Sequence, residues 1–237
     1  MKKTSEKRVI AIVAQAKGGS GKSFFTYCQS LSVPEENSLF VDADSSTQTS
    51  SRQLKHLGQD RLETISLLDN RDVLVRDTFL GYMESLVESN FEKFYMDLGA
   101  PESEQMPALI HRDIPFREFC DELGFEVIFN IIIGGGGAYK ASVDYLQKMV
   151  YVTDGKFKII VWANLKTFNQ FPDLLAELEG NCKHMNLTFK VFGAFESGTL
   201  LGGLIEDGCR KGYSLTDYSL GARIRLKKEL KENFNNG

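Results

Sequence analysis

The chain has 237 residues, and its 28 Lys and Arg stand against 32 Asp and Glu, giving a formal net charge of -4. This length suffices for one α/β domain with a sizeable core, so we expect residues 1–237 to form a single domain. The slightly acidic charge excludes an overall field that attracts nucleic acid or acidic lipid. Any such contact has to come from a local patch.

Cysteines and apolar runs narrow the class of protein further. The four cysteines stand far apart and form no C-x-x-C pair, which favours a reduced, cytoplasmic chain over a disulfide scaffold. The basic start MKKTSEKR precedes an apolar run that is too short for a signal peptide. We expect no transmembrane segment, because no stretch approaches the roughly 20 apolar residues that a membrane span needs.

The strongest pattern lies between residues 8 and 31, where a β-branched run, Val9 to Val13, leads into the loop K-G-G-S-G-K-S and then a helix. Glycines let backbone N–H groups curl around an anion, and the following helix directs its positive end to the same point. Lys22 adds a charge for terminal phosphates, and the Ser23 hydroxyl is a hard ligand for Mg²⁺. We therefore predict a phosphate-binding loop formed by Gly18, Gly19, Ser20, Gly21, Lys22, Ser23 and Phe24.

Two further predicted strands end in aspartates, and these carboxylates could face the loop. Asn37 to Val41 reads as a strand that ends in Asp42-Ala43-Asp44, and Phe91 to Asp97 is an apolar run that closes on Asp97 in the manner of a Walker B motif. Ligands gather at the carboxyl ends of parallel strands, so these acids are candidates to lie near the phosphates and their metal. A solvated turn explains an isolated D-x-D about as well.

These motifs together resemble the deviant Walker A motif and its companions in the ParA/MinD family of P-loop ATPases. Lys17, five positions before Lys22, corresponds to the extra lysine of that family. The resemblance implies an α/β, three-layer P-loop NTPase fold, with a mostly parallel central sheet flanked by helices. It departs at Ala16, where the general P-loop has glycine, and at Ser45, where the family usually has proline.

The resemblance also assigns roles to single residues. It implies ATP and Mg²⁺ at the site, and an ATP-dependent homodimer in which Lys17 reaches the nucleotide of the other subunit. Lys22 would hold phosphate, and Asp44 would position the attacking water. Ser23, Asp42 and Asp97 would surround the metal. Asn164, which follows a predicted strand from Phe157 to Ala163, would contact the base. A turn-forming asparagine is the equally weighted alternative.

The remaining elements are predicted from hydrophobic periodicity and glycine or proline breaks. They are a helix from Thr47 to Leu57, a strand from Thr64 to Leu68, a helix from Val73 to Val87, two short helices within 102–123, a central strand from Phe125 to Ile133, a helix from Ala138 to Val150 and a last strand from Leu187 to Phe195. The residues that follow the last strand, Glu196 to Thr199, are expected near the base or ribose of the nucleotide.

Four consecutive glycines, Gly134 to Gly137, follow the predicted central strand. They could form a second anion cradle. Backbone flexibility, or close approach at a dimer face, is the favoured alternative.

The last segment, Tyr213 to Asn235, has several possible uses. If it is helical, an apolar docking face contains Leu220, Ile224, Leu226, Leu230 and Phe234. From Gly221 onward, five cations stand against two glutamates. Packing with a solvated basic edge competes with nonspecific contact to DNA phosphates, and a membrane-surface helix is the least supported use.

The function that these patterns favour is a Mg²⁺-dependent, partner-stimulated ATPase that acts as a switch for partitioning or positioning a cargo such as plasmid DNA. Such a switch needs a stimulating or cargo-adaptor protein. We expect it in a bacterial cytoplasm, either free or associated with the nucleoid. A P-loop ligase or kinase that acts on a small molecule, of the dethiobiotin synthetase type, is the metabolic alternative. A nucleotide-binding scaffold without turnover is the third hypothesis.

Overall fold

The structure is a computed structural model that describes residues 7–33, 37–44, 49–195 and 198–234. Within these ranges, seven strands form a single sheet in the order β3-β2-β4-β1-β5-β6-β7, and every neighbouring pair is parallel. The strands are β1 (Arg8–Ala14), β2 (Ser38–Ala43), β3 (Leu62–Thr64), β4 (Lys93–Leu98), β5 (Phe125–Ile133), β6 (Lys158–Asn164) and β7 (Thr188–Phe192).

Helices cross over between successive strands on both sides of this sheet. They are α1 (Lys22–Ser32), α2 (Thr49–Gln53), α3 (Arg76–Ser85), α4 (Ala100–Ala108), α5 (Phe116–Glu122), α6 (Tyr139–Thr153), α7 (Leu165–Phe168), α8 (Pro172–His184), α9 (Leu200–Lys211) and α10 (Leu220–Asn233). A turn of π-helix, Leu109–Asp113, joins α4 to α5. Among the helices of the described ranges, none is long and apolar enough to cross a membrane.

The alternation of side chains along β1 separates two halves of the core. Ile10 and Ile12 are fully buried against the side chains of α3, α4, α5, α6 and α8, whereas Ala11 and Val13 face α1, α9 and α10. Because successive strand residues point to opposite faces, a continuous apolar run such as this one requires helices on both sides. The predicted three-layer fold with a parallel sheet is confirmed.

Two predicted elements shift along the chain. β3 pairs with residues 40–42 of β2 and therefore occupies Leu62–Thr64, earlier than the predicted 64–68. The helix predicted from Val73 starts at Arg76, because the backbone N–H of Val73 bonds to Asp69 Oδ1 and that of Val75 bonds to the Leu67 carbonyl. Helices α7, α8 and α9 occupy segments for which the periodicity gave no prediction.

The C-terminal helix is rotated relative to the predicted docking face. Its buried residues are Ala222, Leu226, Glu229 and Leu230. Leu220 and Ile224 are 64% and 59% exposed, so their assignment to the docking face was wrong. The face that packs onto α1 and α9 contains the small Ala222 and the buried Glu229. A pattern of hydrophobic residues predicts neither of these two residues at a buried position.

Candidate functional site

The loop between β1 and α1 presents an open backbone on its outer side. Gly19 and Gly21 adopt φ of 77° and 102°, in the left-handed region that glycine adopts without strain. A Cβ placed on Gly18 or Gly19 meets nothing within 4 Å, whereas one on Gly21 would overlap the side-chain amide of Asn164. Glycine is therefore required at position 21 by both conformation and space. The outer turn leaves room for a ligand.

Asn164, at the end of β6, holds this loop through a side-chain hydrogen bond. Its Nδ2 donates to the carbonyl oxygen of Ser20 at 3.0 Å. Asn164 and Ser20 are both buried, at 4% and 1% exposure. The Asn164 Oδ1 atom is buried without a hydrogen-bond partner in the described part of the chain. The asparagine therefore fixes the loop with one end of its amide and leaves an acceptor unused at the other.

Lys22 is the first residue of α1, and its side chain turns back under the loop. The Nζ atom donates to the carbonyl oxygen of Gln15 at 3.0 Å. Burial lowers the pKa of Lys22, and the nearby carboxylates of Asp97, Asp44 and Glu102 oppose that shift. The loop thus holds a partly desolvated amine next to acids from β4, the end of β2 and α4.

The carboxylates of the second motif differ in how they are used. Asp42 is fully buried, and its Oδ2 accepts from both the backbone N–H and the hydroxyl of Ser51 at 2.6 Å. Its Oδ1 accepts from the backbone N–H of Asp44 at 3.2 Å. Asp42 therefore fixes the start of α2, and direct metal ligation by it would compete with these bonds. Asp44 is only half-buried and lies beside Gly99. Ser45 lies outside the described residues.

Asp97 is the acid with unused coordinating capacity. It pairs in register with Asp42 across β2 and β4, and it is 1% exposed. Its Oδ2 accepts from the Ser50 hydroxyl, while its Oδ1 is buried with no hydrogen-bond partner in the described ranges. Burial raises the pKa of Asp97 to about 6, although Lys22 and the Ser50 bond lower it. The positive charge of Lys22 therefore offsets only part of the cost of burying an ionised Asp97.

Glu102 is a candidate residue that the sequence patterns did not single out. It lies in the first turn of α4 and is fully buried. A Cβ on Gly99 would overlap its carboxylate and would lie 2.9 Å from Asp44 Oδ1, so the two acids approach the same point. The sequence feature that could have identified Glu102 is its position five residues after Asp97, where the next helix starts. Residues 102–123 contain many charged side chains, so Glu102 did not stand out among them.

A cavity of about 270 Å³ opens beside the loop. Its walls include Gly21, Phe24, Asn164 and Phe195. The Phe24 ring meets Phe195 edge-on at 6.1 Å between centroids. The cavity is thus flanked by an aromatic ring and lies next to the glycine loop. Glu196 and Ser197, which were expected near a base or ribose, lie outside the described residues.

Gly134 and Gly135 allow close packing inside the chain. A Cβ on Gly134 would lie 3.5 Å from the Cα of Ser20, and one on Gly135 would lie 2.5 Å from the Thr167 carbonyl oxygen. Their N–H groups already donate to the hydroxyls of Ser142 and Thr167. These two glycines allow the chain to pack closely against the glycine loop and the start of α7. They do not offer free N–H groups to a second anion.

Lys17 and the basic C-terminal helix both present charge to the outside. Lys17 is exposed, like Gly18 and Gly19, and its backbone N–H bonds to Gln15 Oε1 at 3.1 Å. On α10, the three lysines are exposed, whereas the Arg223 and Arg225 side chains are half-buried. The exposed cations of α10 are Lys227, Lys228 and Lys231.

In the described ranges, no group of three or more His, Cys, Asp or Glu side chains is arranged to hold a metal ion. The predicted metal residues therefore do not form a complete protein cage. Ser23, in the first turn of α1, and Asp97, whose Oδ1 is buried without a hydrogen-bond partner among the described residues, remain the candidate oxygen donors of the protein. The remaining ligands of a metal at this site would come from a phosphate and from water, as Mg²⁺ commonly arranges them.

Comparison with known proteins places the fold. No protein-family model matches the sequence, and no curated protein sequence matches it. A chain of the MinC:MinD cell division protein complex of Aquifex aeolicus superposes with a TM-score of 0.57 at 11% identity, over 94% of this chain and 95% of that one. The MinD cell division protein of the same organism gives 0.51 at 12%, with the same coverage.

A third solved structure is similar with a slightly lower score. The signal recognition particle receptor FtsY of Elizabethkingia anophelis gives a TM-score of 0.50 at 11% identity, over 87% of this chain and 65% of that one. At identities this low, the superpositions establish a common fold and leave the activity open. This chain shares the three-layer α/β fold of these solved structures, and that is the fold implied by the ParA/MinD resemblance of residues 17–23.

Proposed function

We propose that the protein is a Mg²⁺-dependent ATPase that binds ATP on the loop from Lys17 to Ser23. The observation that carries the proposal is the Lys22 amine, partly desolvated beneath an open glycine loop and surrounded by the carboxylates of Asp97, Asp44 and Glu102. A turn that served packing alone would gain nothing from burying an amine among acids. Phosphate oxygens on the open side give that amine a ligand.

Magnesium fits the donors that are present. Asp97 Oδ1 is a buried hard oxygen without a hydrogen bond, and the Ser23 hydroxyl stands at the start of α1. We assign these two residues as the protein ligands, with Asp42 in a supporting position through its bonds to Ser51 and Asp44. When bound, the ion neutralises charge on the phosphate oxygens.

The residues around the terminal phosphate divide the work of hydrolysis. Lys22 offsets the negative charge that develops as the bond between the γ-phosphoryl group and ADP breaks. Asp44, half-buried at the end of β2, accepts a hydrogen bond from the attacking water and so orients it. Backbone N–H groups of Gly18 to Gly21 bind the remaining phosphate oxygens. The cavity beside Phe24 and Asn164 receives the base.

Lys17 acts between two copies of the chain in this proposal. Its exposure on the outer side of the loop leaves it available to a second subunit. ATP then lies between two subunits, and each Lys17 neutralises charge at the nucleotide of the partner, as an arginine finger does. Loss of the γ-phosphate removes these contacts, so hydrolysis times the lifetime of the dimer.

The surface on which the dimer acts is proposed from the exposed lysines of α10. Lys227, Lys228 and Lys231 can neutralise phosphates of duplex DNA without reading sequence. The switch would then position a cargo such as a plasmid, with an adaptor protein that stimulates turnover.

The test is steady-state ATP hydrolysis by the full chain, with Mg²⁺ or EDTA, and with or without nonspecific duplex DNA across a salt series. We expect slow hydrolysis that needs Mg²⁺, rises with DNA at low salt, and disappears in Lys22→Ala. Lys140→Ala, on the exposed face of α6, serves as the matched control. Hydrolysis only with an added small-molecule acceptor would favour a ligase or kinase. Binding without turnover would favour a scaffold.

A further inference from the structure

Two charged residues of α10 point inward, away from its exposed lysines. Glu229 is 1% exposed, and its Oε1 accepts from the backbone N–H of Gly193 at 2.7 Å and from Asn233 Nδ2 at 3.0 Å. Arg225 donates from Nη2 to the carbonyl oxygen of Ala194 at 2.5 Å. Its Nη1 lies 3.7 Å from Glu229 Oε2. Both side chains therefore hold consecutive residues of the turn after β7.

Two residues of this turn, Gly193 and Phe195, line the cavity beside the glycine loop. Gly193 has a φ of 77°, and a Cβ on it would lie 3.0 Å from Asn164 Oδ1 and 3.6 Å from the Phe24 ring. Phe195 closes the wall against Phe24, and the Arg225 guanidinium lies 5.0 Å from the centre of the Phe195 ring. A shift of the turn would change the shape of the cavity directly.

Packing alone does not explain a carboxylate at position 229. Leu226 and Leu230 flank it on the same buried face, and an apolar residue would avoid the cost of desolvating a charge. The carboxylate supplies a charge-assisted bond to one particular backbone N–H, which fixes where that N–H lies. The consequence is local, because Gly193 lines the cavity and Ala194, which Arg225 holds, lies between the two cavity-lining residues Gly193 and Phe195; none of the three belongs to the glycine loop.

We propose that Glu229 and Arg225 are positioning residues for the nucleobase. They hold residues 193–195 so that the cavity fits the purine of a nucleoside triphosphate, while the glycine loop binds the phosphates independently. The inference rests on the proposed nucleotide-binding function. It places the determinant of base affinity on the C-terminal helix, far from the loop in sequence.

Glu229→Gln separates the two parts of the ligand. Dissociation constants for Mg²⁺-ATP and for Mg²⁺-tripolyphosphate, which lacks the base, are measured by calorimetry on the full chain. Loss of a charge-assisted bond should weaken ATP binding by about tenfold. Tripolyphosphate binding should stay within about twofold of wild type. Glu232→Gln, the same substitution on the exposed face of the same helix, should change neither.

The outcomes distinguish this inference from the function on which it rests. An equal loss for both ligands would make Glu229 a residue of general stability, and unchanged ATP binding would also overturn the inference. If Glu229→Gln does not fold by circular dichroism, Arg225→Met carries the same comparison, since Arg225 is only half-buried. A wild-type chain that binds neither ligand would refute the proposed function itself.

Discussion

Asp97 offers a stability measurement that depends directly on the chemistry of the site. Its carboxylate is buried at the end of β4, with one oxygen bonded to Ser50 and the other without a hydrogen bond among the described residues. Asp97→Asn keeps the shape and an acceptor for the Ser50 hydroxyl but removes the charge. We expect the substitution to stabilise the nucleotide-free protein while it removes the response to Mg²⁺ and ATP.

The magnitude follows from the pKa of Asp97, which burial raises from 3.8 to about 6. At about 1.4 kcal/mol per pH unit, this difference corresponds to an upper limit of about 3 kcal/mol at neutral pH. For a chain of this size, that free energy raises Tm by up to roughly 10 °C. Ser50 and Lys22 already reduce the cost, because their favourable effects are included in the raised pKa.

The dependence on pH has a definite sign. The pKa of Asp97 is higher in the folded protein than in the unfolded chain, so the folded state binds the proton more tightly. Ionisation therefore costs stability fully above about pH 6, and the cost disappears as the pH falls below about 4. The advantage of Asp97→Asn over wild type should be large at pH 7.5 and small at pH 4.5.

Thermal unfolding followed by circular dichroism, in EDTA and without nucleotide, measures this difference. Asp144→Asn, which removes an exposed carboxylate of α6, is the matched control and should alter Tm little. The reasoning would be refuted if Asp97→Asn were less stable than wild type at pH 7.5. A stabilisation of equal size at both pH values would refute it as well.

Three further substitutions test the loop and its neighbours. Gly21→Ala should destabilise the fold by about 1–3 kcal/mol in urea titrations, because residue 21 has a φ of 102° and its new Cβ would overlap Asn164. The control Gly18→Ala should cost under about 0.5 kcal/mol, since a Cβ there meets nothing within 4 Å. Equal costs would contradict the loop geometry. Glu102→Gln should lower kcat for ATP at least about tenfold with little change in KM, if this acid organises Lys22 in the transition state; a change in KM alone would contradict it. Lys17→Ala should abolish ATP-dependent dimers in sedimentation velocity while ATP still binds the monomer; dimers that persist would remove its role between subunits.

The sequence predicted those parts of the site that depend on local order. The strand, glycine loop and helix around Lys22 are contiguous, so their spacing alone predicts the strand, loop and helix that the structure has there. Asp97 follows an apolar run of a buried parallel strand, and such runs are recognisable without tertiary information. Both predictions concern residues whose neighbours in space are also neighbours in sequence or in the sheet register.

Burial of charge could not be predicted in the same way. Glu102 and Glu229 are both inaccessible to solvent, and each is explained only by partners brought in from other elements. Hydrophobic periodicity assigned α10 the face of Leu220 and Ile224, whereas packing selected the face that contains Ala222 and Glu229. A glutamate that bonds to a backbone N–H 36 residues away leaves no local signal.

The central claim is that the loop from Lys17 to Ser23 binds the phosphates of a nucleotide. Equilibrium binding of a non-hydrolysable ATP analogue, with Mg²⁺ and then with EDTA, tests it most directly when wild type is compared with Lys22→Ala. We predict saturable binding by wild type that weakens at least about a hundredfold in Lys22→Ala and is reduced in EDTA. Equal binding by the two proteins, or no binding by wild type at millimolar analogue, would contradict the claim.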